Sequence, residues 1–417
     1  MSSSRSWLET PLEDVCESII DCVNKTAPSV DYTTPYKMIR TTNVRDGWVS
    51  LSNVKCVEEE IYRKWIRRQQ PKKGDVILTR EAPLGEVGML RSDEKVFLGQ
   101  RLVSYRANPE KIDKRFLLYA FQGHYLQAQI KALGSGSTVE HMRVPDAKKL
   151  KILLPSLSTQ RAIGSILSSY DDLIANNTRR IEILEEMARR LYEEWFVHFR
   201  FPGHEDVSFK QSELGEIPEG WEVKGLYDIA EVTYGHPFKA KQFNDQGEGL
   251  GAVRIRDIRD GQVKTYTTEE GKPKHIIENG DILVGMDGQF HMGKWAGGKA
   301  WLVQRVARFR PTQPMSRYLL FLTIERPIKH LEETIVGTTV AHLSAKDLKA
   351  MKVVVPDEAM LKVMADTLEP MYELEMRLKR KNVNLHAQRD LLLPKLVSGE
   401  IDVSDITMPE DKEVEAA

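Results

Sequence analysis

The chain is an internal duplication. No other feature constrains it as tightly, because whatever fold the first half adopts the second must adopt as well. Trp7–Asp14 (WLETPLED) lines up with Trp221–Asp228 (WEVKGLYD), and Arg40 with Val44–Gly47 (VRDG) lines up with Arg254 and Ile258–Gly261 (IRDG), all 214 positions apart. Gly74–Leu78 (GDVIL) matches Gly280–Val284 (GDILV) at 206, and Gln100–Leu102 (QRL) matches Gln304–Val306 (QRV) at 204. Thr138–His141 with Thr339–His342, and Leu154–Pro155 with Val355–Pro356, match at 201. The separation falls in steps and never rises, as loop deletions in one copy require; chance similarity would scatter.

Each copy has two parts. The first, about Trp7 to Pro155 and Trp221 to Pro356, mixes short β-like runs (Asp75–Thr79, Leu102–Tyr105, Lys151–Leu154, Asp281–Val284) with Gly- and Pro-bearing turns. A helical stretch near Phe116–Ala132, and its counterpart near Arg317–Glu333, makes the class mixed. The second part is one long helix. Ser158–Phe199 contains no proline and one glycine, Gly164. Its apolar residues Ile163, Ile166, Tyr170, Leu173, Ile181, Leu184, Ala188, Leu191 and Trp195 recur in steps of three and four, a heptad seam that also carries Asn177. Ser158 is the candidate N-cap. The second copy repeats the seam with Leu361, Met364, Leu368, Met371, Leu374, Leu378, Asn382, Leu385 and Leu392, and Pro370 is expected to kink or break it.

A helix of about 40 residues is roughly 60 Å long and cannot bury such a stripe alone. The other copy's helix, running antiparallel, is the expected partner; recruitment of outside chains is the alternative. The expected class is therefore α+β: two globular heads joined by two long antiparallel helices in a coiled coil, with a pseudo-twofold internal repeat. The expected boundaries are 1–156 and 201–356 for the heads, 157–200 and 357–400 for the spacer helices, and 401–417 for an acidic tail. The end of the second helix is expected to return beside Trp7, as the first delivers the chain to Trp221.

Two similar heads on a spacer suit a ligand with two sites at fixed spacing, and duplex DNA is the commonest such ligand. The overall charge hides this, with 60 Lys+Arg against 61 Asp+Glu in 417 residues. Locally, Tyr36–Lys73 has ten basic and four acidic residues and His236–Arg310 thirteen and nine, while the segment after Gly399 has seven acidic and one basic. Arginine on guanine and Asn or Gln on adenine would read bases, and lysines would hold phosphates. In the first copy the candidate DNA-contacting residues are Arg40, Asn43, Arg45, Trp48, Lys55, Arg63, Lys64, Arg67, Arg68, Arg80, Arg101, Ser137 and Thr138. In the second they are Arg254, Arg256, Arg259, Lys264, Lys274, Gln289, His291, Lys294, Arg305, Thr338 and Thr339. For any one of them a solvated surface role competes; Glu58–Glu60, followed by Arg63, Lys64 and Arg67, has i,i+4 partners on a helix.

Cys16, Cys22 and Cys56 lack metal-ligand spacing and are odd in number, so neither a zinc site nor a disulfide framework is expected, in keeping with a reducing compartment. The start lacks a signal-peptide core, and no run of about 18 apolar residues could span a bilayer. Gly134–Thr138 and Gly337–Thr339 could cradle a phosphate, but without a Walker lysine they read as turns and not as a nucleotide site. His141 and His342 read as structural, and Gly-Asp at Asp75 and Asp281 as the turn before a strand. Neither the Asp/Asn-Pro-Pro-Tyr/Phe stretch of amino-methylation nor a glycine-rich S-adenosylmethionine loop is present. Asp93–Lys95 is a weak nuclease-like triplet. The residues point to a reader without chemistry of its own.

Gly337–Leu348 (GTTVAHLSAKDL) running into Val353–Pro356, the entry Ile217–Trp221 (IPEGW), Leu191–Phe196 (LYEEWF) and Leu392–Glu400 (LLPKLVSGE) resemble the specificity (S) subunit of type I restriction–modification systems, along essentially the whole chain. The resemblance implies that each head is a target-recognition domain reading half of a bipartite DNA sequence. It also implies that the helices act as a ruler docking two methyltransferase (M) subunits, with restriction (R) subunits beyond, in the cytoplasm. Adenine N6 methylation would then belong to the partners, as would S-adenosylmethionine, ATP and Mg, with no cofactor in this chain. The first copy departs from the pattern at Gly136–Met142 (GSTVEHM), which lacks the Leu-Ser-Ala-Lys run. A coiled-coil adaptor without DNA, or an enzyme that itself cuts or modifies DNA, are the alternative readings.

Overall fold

The computed structural model describes residues 7–134, 140–335 and 341–406. The chain divides into two compact units, Met1–Asp172 with His386–Ala417, and Leu173–Leu385. The division falls inside both long helices, so each unit holds one head and a stretch of both.

The duplication read from the sequence is the plan of both heads. Each is closed by a two-strand antiparallel clasp, Leu8–Pro11 on Lys151–Leu154 in one and Glu222–Gly225 on Lys352–Val355 in the other. Each is built on four antiparallel strands in the same order. In the first head these are Cys16–Asp21, Leu102–Ala107, Val76–Arg80 and Leu84–Met89; in the second, Ala230–Tyr234, Val306–Pro311, Ile282–Gly285 and Met292–Lys294. The GDVIL and GDILV runs form the third strand of each set. Their glycines take φ of +95° and +90°, a turn conformation that costs other residues energy. The following aspartates then fix the corner: Asp75 accepts two charge-assisted hydrogen bonds from Arg106 (2.9 and 2.8 Å), and Asp281 accepts two from Arg310 (2.6 and 2.9 Å).

These strands are apolar without alternation because both faces of the sheet are covered. Val76 and Leu78 enter the main core of the first head while Ile77 enters a separate outer cluster with Ile39, Val44 and Leu98. Ile282 and Val284 enter the main core of the second head while Leu283 joins an outer cluster with Val253, Ile258 and Trp295. Each head thus has an inner core against the long helices and an outer layer with a core of its own.

One parallel strand pair is common to the two outer layers, Lys37–Ile39 with Val96–Leu98 and Leu250–Val253 with Ala300–Leu302. What surrounds the pair differs. A Cβ on Gly88 would lie 2.3 Å from the Trp48 carbonyl, so strand Gly47–Val49 approaches there as only glycine allows. At the corresponding Gly293 the neighbour is instead Ile258, on helix Ile255–Asp260. The same glycine seats a strand in one head and a helix in the other.

The long helices span Leu157–Tyr192, continued by a π-type turn Glu193–Val197, and Glu358–Val397. Within the second unit they pair antiparallel. Asn177 donates to Asn382 at 2.9 Å, Asn382 donates to the Ile174 carbonyl and the Thr178 hydroxyl, and Lys379 reaches Glu185 at 3.2 Å. Within the first unit Arg389 donates to Asp171 at 2.7 Å, and Asp171 also accepts from Tyr119. The predicted chain returns are present. A Cβ on Gly399 would stand 3.0 Å from the Trp7 ring, and Trp221 is buried among Phe196, Phe199 and Phe201, with ring centroids 5.1–5.6 Å away.

Four helix expectations are corrected. Ser156, not Ser158, caps the first long helix, accepting from the Thr159 amide. Leu173 is exposed and Ile174 is buried in its place, because the side chains that face the partner drift off a strict heptad. The second helix runs without a break through Pro370, which is exposed, while Leu368 and Tyr372 anchor the packed side. The helical stretch of the first head is split at Gly123 into Lys114–Gln122 and His124–Leu133, with Gly123 tight against Val397, whereas Arg317–Thr334 continues through Pro327.

Candidate nucleic-acid interface

In the first head the basic cluster lies on the outer layer. Helix Glu59–Trp65 buries Tyr62 against Phe97 and Tyr36, which leaves Arg63 and Lys64 on the far side, 74% and 60% exposed. Each holds an i,i+4 carboxylate, Glu59 at 2.7 Å and Glu60 at 2.5 Å. Pairs this open to water are weak, so both cations can exchange their partner for a phosphate. Arg67, Arg45 and Lys55 are exposed, and Arg68 pairs with Asp21. Trp48 is half-buried and stacks under the Arg91 guanidinium at 3.9 Å, a partner that charge counting had not singled out.

Three candidates of this head are turned to other work. Asn43 is buried, its side-chain oxygen accepting from the Arg40 amide at 3.0 Å. Arg80 donates to the Met142 carbonyl at 2.9 Å, tying the central strand to the segment after 140. Arg40 is half-buried with its tip at the Asn53 carbonyl. Asn43 is therefore corrected from base reader to turn cap: a buried amide already bonded to backbone cannot meet a base edge.

In the second head, helix Ile255–Asp260 sits over the glycines of the hairpin, a Cβ on Gly285 or Gly293 lying 2.9 Å from Ile255 or Ile258. With its apolar side committed there, Arg256 and Arg259 are exposed; Arg256 donates to Thr265 at 3.0 Å. Arg254 stacks over Phe243 at 4.4 Å. Lys264 and Lys274 are exposed, and so is Gln289, in the hairpin beside half-buried His291.

Lys294 is the clear correction. Its side chain is 4% exposed and lies 2.7 Å from Glu375 and 3.2 Å from Glu185, with Lys379 completing the set at 2.7 Å from Glu375. Burial pushes its ammonium below the ordinary lysine range while Glu375 and Glu185 pull it back. Burial would raise Glu185, but Lys294 and Lys379 outweigh it and hold that carboxyl at about 2. Two cations and two carboxylates balance, and no charge is left for a phosphate. A warning was present in the sequence: Glu375 lies between Tyr372 and Met376 on a buried helix face, where an acid demands a cation.

Arg101 and Arg305 occupy the same place in the two heads. Both have left-handed backbones, φ +71° and +75°. Each is 49% exposed and rests on a carboxylate, Glu81 at 3.3 Å and Asp287 at 3.2 Å. The carboxylate residues form β-bridges with His141 and His342, and the His342 ring lies 2.6 Å from Asp287. Both histidines are thus structural partners of an acid. Ser137, Thr138, Thr338 and Thr339 lie outside the described residues. Among the described residues no three His, Cys, Asp or Glu side chains could together hold a metal, and no helix is long and apolar enough to cross a membrane.

Comparison with known proteins agrees with this duplicated plan. The type I restriction modification DNA specificity domain matches twice, over residues 5–186 and 218–385. The MjaIX specificity subunit of a type I restriction enzyme from Methanocaldococcus jannaschii is 26% identical over 349 residues, covering 80% of this chain and 79% of its own. The MjaVIII specificity subunit of the same organism is 24% identical over 388 residues, covering 89% and 87%. The S subunit of a type I restriction–modification system from M. genitalium, solved by crystallography, shares the fold: TM-score 0.60 over 95% of this chain and 97% of that one, at 17% identity. Two copies of one head and two matches of one domain model lead to the same place, and the chain belongs to the type I restriction modification DNA specificity family.

Proposed function

We propose that this chain is the target-reading subunit of a type I restriction–modification assembly, each head contacting one half of a bipartite duplex sequence. One observation supports it above the others: the heads share a four-strand frame, yet carry different cation-bearing elements in their outer layers, helix Glu59–Trp65 in one and helix Ile255–Asp260 in the other. A reader of two unlike half-sites needs this combination, a common support with two unlike reading surfaces. Base edges would be met by Arg63, Arg67, Arg256, Arg259 and Gln289, and phosphates by Lys55, Lys64, Lys264 and Lys274.

The chain performs no bond chemistry in this reading. Methyl transfer to adenine, with S-adenosylmethionine, and ATP- and Mg-dependent restriction belong to two methyltransferase subunits and to restriction subunits bound to it in the cytoplasm. A genome-wide adenine-methylation map with and without the gene tests this, and the expected result is loss of one two-part motif. Replacing one head by a relative's should change one half of that motif only. A change in both halves, or methylation or cleavage by the purified chain alone, would refute the reading.

A further inference from the structure

The two reading surfaces differ, so a feature the heads share can serve a purpose that does not depend on the half-site. One exposed shared feature with an unusual backbone is the arginine that closes the turn into the strands Leu102–Ala107 and Val306–Pro311. Arg101 and Arg305 hold φ of +71° and +75°, where a side chain crowds its own backbone and glycine would be relaxed. Strain of this kind persists where the side chain is needed. Here it persists twice, once in each copy.

The side chain is also pre-aimed. Glu81 meets Arg101 at Nη2, 3.3 Å away, and Asp287 meets Arg305 at Nε, 3.2 Å away, with the His342 ring 3.2 Å from Nη1 of Arg305; each carboxylate residue forms a β-bridge to the histidine segment, and half of each arginine stays in solvent. An arginine fixed on one edge by a carboxylate presents its remaining N–H donors in one direction, with little rotamer freedom left to lose on binding. The ligand that suits a half-exposed guanidinium fork is an anion with paired oxygens.

We infer that Arg101 and Arg305 are the sequence-independent anchors of the heads, each holding a DNA backbone phosphate and so setting how its head lies on the duplex. This rests on the DNA-reading function proposed above and adds a division of labour: the unlike outer elements specify and the shared arginines position. Glu81 and Asp287 are positioning residues, acting through the arginines.

The test uses the full chain and two short duplexes, one carrying the mapped motif and one with both halves scrambled. Arg101→Gly and Arg305→Gly remove the side chain while relaxing the backbone, so folding is spared; Arg101→Lys and Arg305→Lys keep the charge. Each glycine variant should weaken both duplexes by the same factor and lower the slope of log affinity against log salt by about 1, and the double variant by about 2. The lysine variants should keep the parental slope. Weakening confined to the motif duplex would make these arginines base readers, and an unchanged slope would make them struts of the turn; either overturns the inference. If the parent chain binds neither duplex, the DNA-reading function falls first, and the inference with it.

Discussion

Replacing Lys294 by methionine removes one cation from a buried set of four charges. Glu375, with 0% of its side chain exposed, would keep Lys379 at 2.7 Å as its cation, and Glu185 would keep the same lysine at 3.2 Å. Orphaning a buried charge costs roughly 3–5 kcal/mol, and because a second cation remains the expected loss is about 2–3 kcal/mol. With a urea slope of about 3 kcal/mol/M, the midpoint for the unit holding Lys294 falls by roughly 0.7–1 M, read by tryptophan fluorescence. Adding Glu375→Gln removes the surplus negative charge and should return stability to within about 1 kcal/mol of the parent. The salt dependence of DNA binding should not move, since Lys294 faces carboxylates and not solvent. The reasoning fails if the single variant unfolds with the parent, or if the double variant is no better than the single.

Other expectations are briefer. Glu185 is held at about 2 against an ordinary value of 4.5, so its ion pairs stabilise fully above pH 4.5 and lose that contribution as pH falls from 4.5 towards 2; urea midpoints across that window should drop less steeply in Glu185→Gln. Asn382→Leu leaves the Asn177 amide, 8% exposed, without its partner and should cost about 1–3 kcal/mol of thermal or urea stability, whereas the joint change Asn177→Leu, Asn382→Leu should recover most of it. Gly88→Ala would set a Cβ 2.3 Å from the Trp48 carbonyl and should unseat strand Gly47–Val49, seen as loss of the Trp48 fluorescence environment. Gly293→Ala, facing the Ile258 side chain at 2.9 Å and its carbonyl oxygen at 3.0 Å, should be milder.

The heptad seams, the duplication and the entry tryptophans were legible because each rests on spacing, which the chain preserves. Even the Asn177–Asn382 pair could be read, since an amide on an apolar stripe seeks its like. Lys294, Asn43 and Leu173 were misplaced for a common reason: charge and periodicity are counted along one dimension, while burial is decided by what crosses from elsewhere. Lys294 is drawn inward by Glu375, 81 positions away, and Asn43 by the turn it closes. Pro370 shows the converse, a residue whose local rule yields because the positions around it are anchored in a core. The outer layers were hidden because GDVIL and GDILV read as ordinary strands, and only their two-sided burial reveals a second layer.

That second layer has a consequence for how such a chain changes over time. Its side chains cohere around their own small nuclei, such as Met38, Val57, Tyr62 and Phe97 in one head and Phe238, Ala252, Trp301 and Val303 in the other, apart from the large nucleus packed on the helices. Mutations that remodel the outward surface therefore spend their damage locally. A lineage can drift to a new preference at one module while the frame beneath, and the rods it grips, keep their sequence and shape.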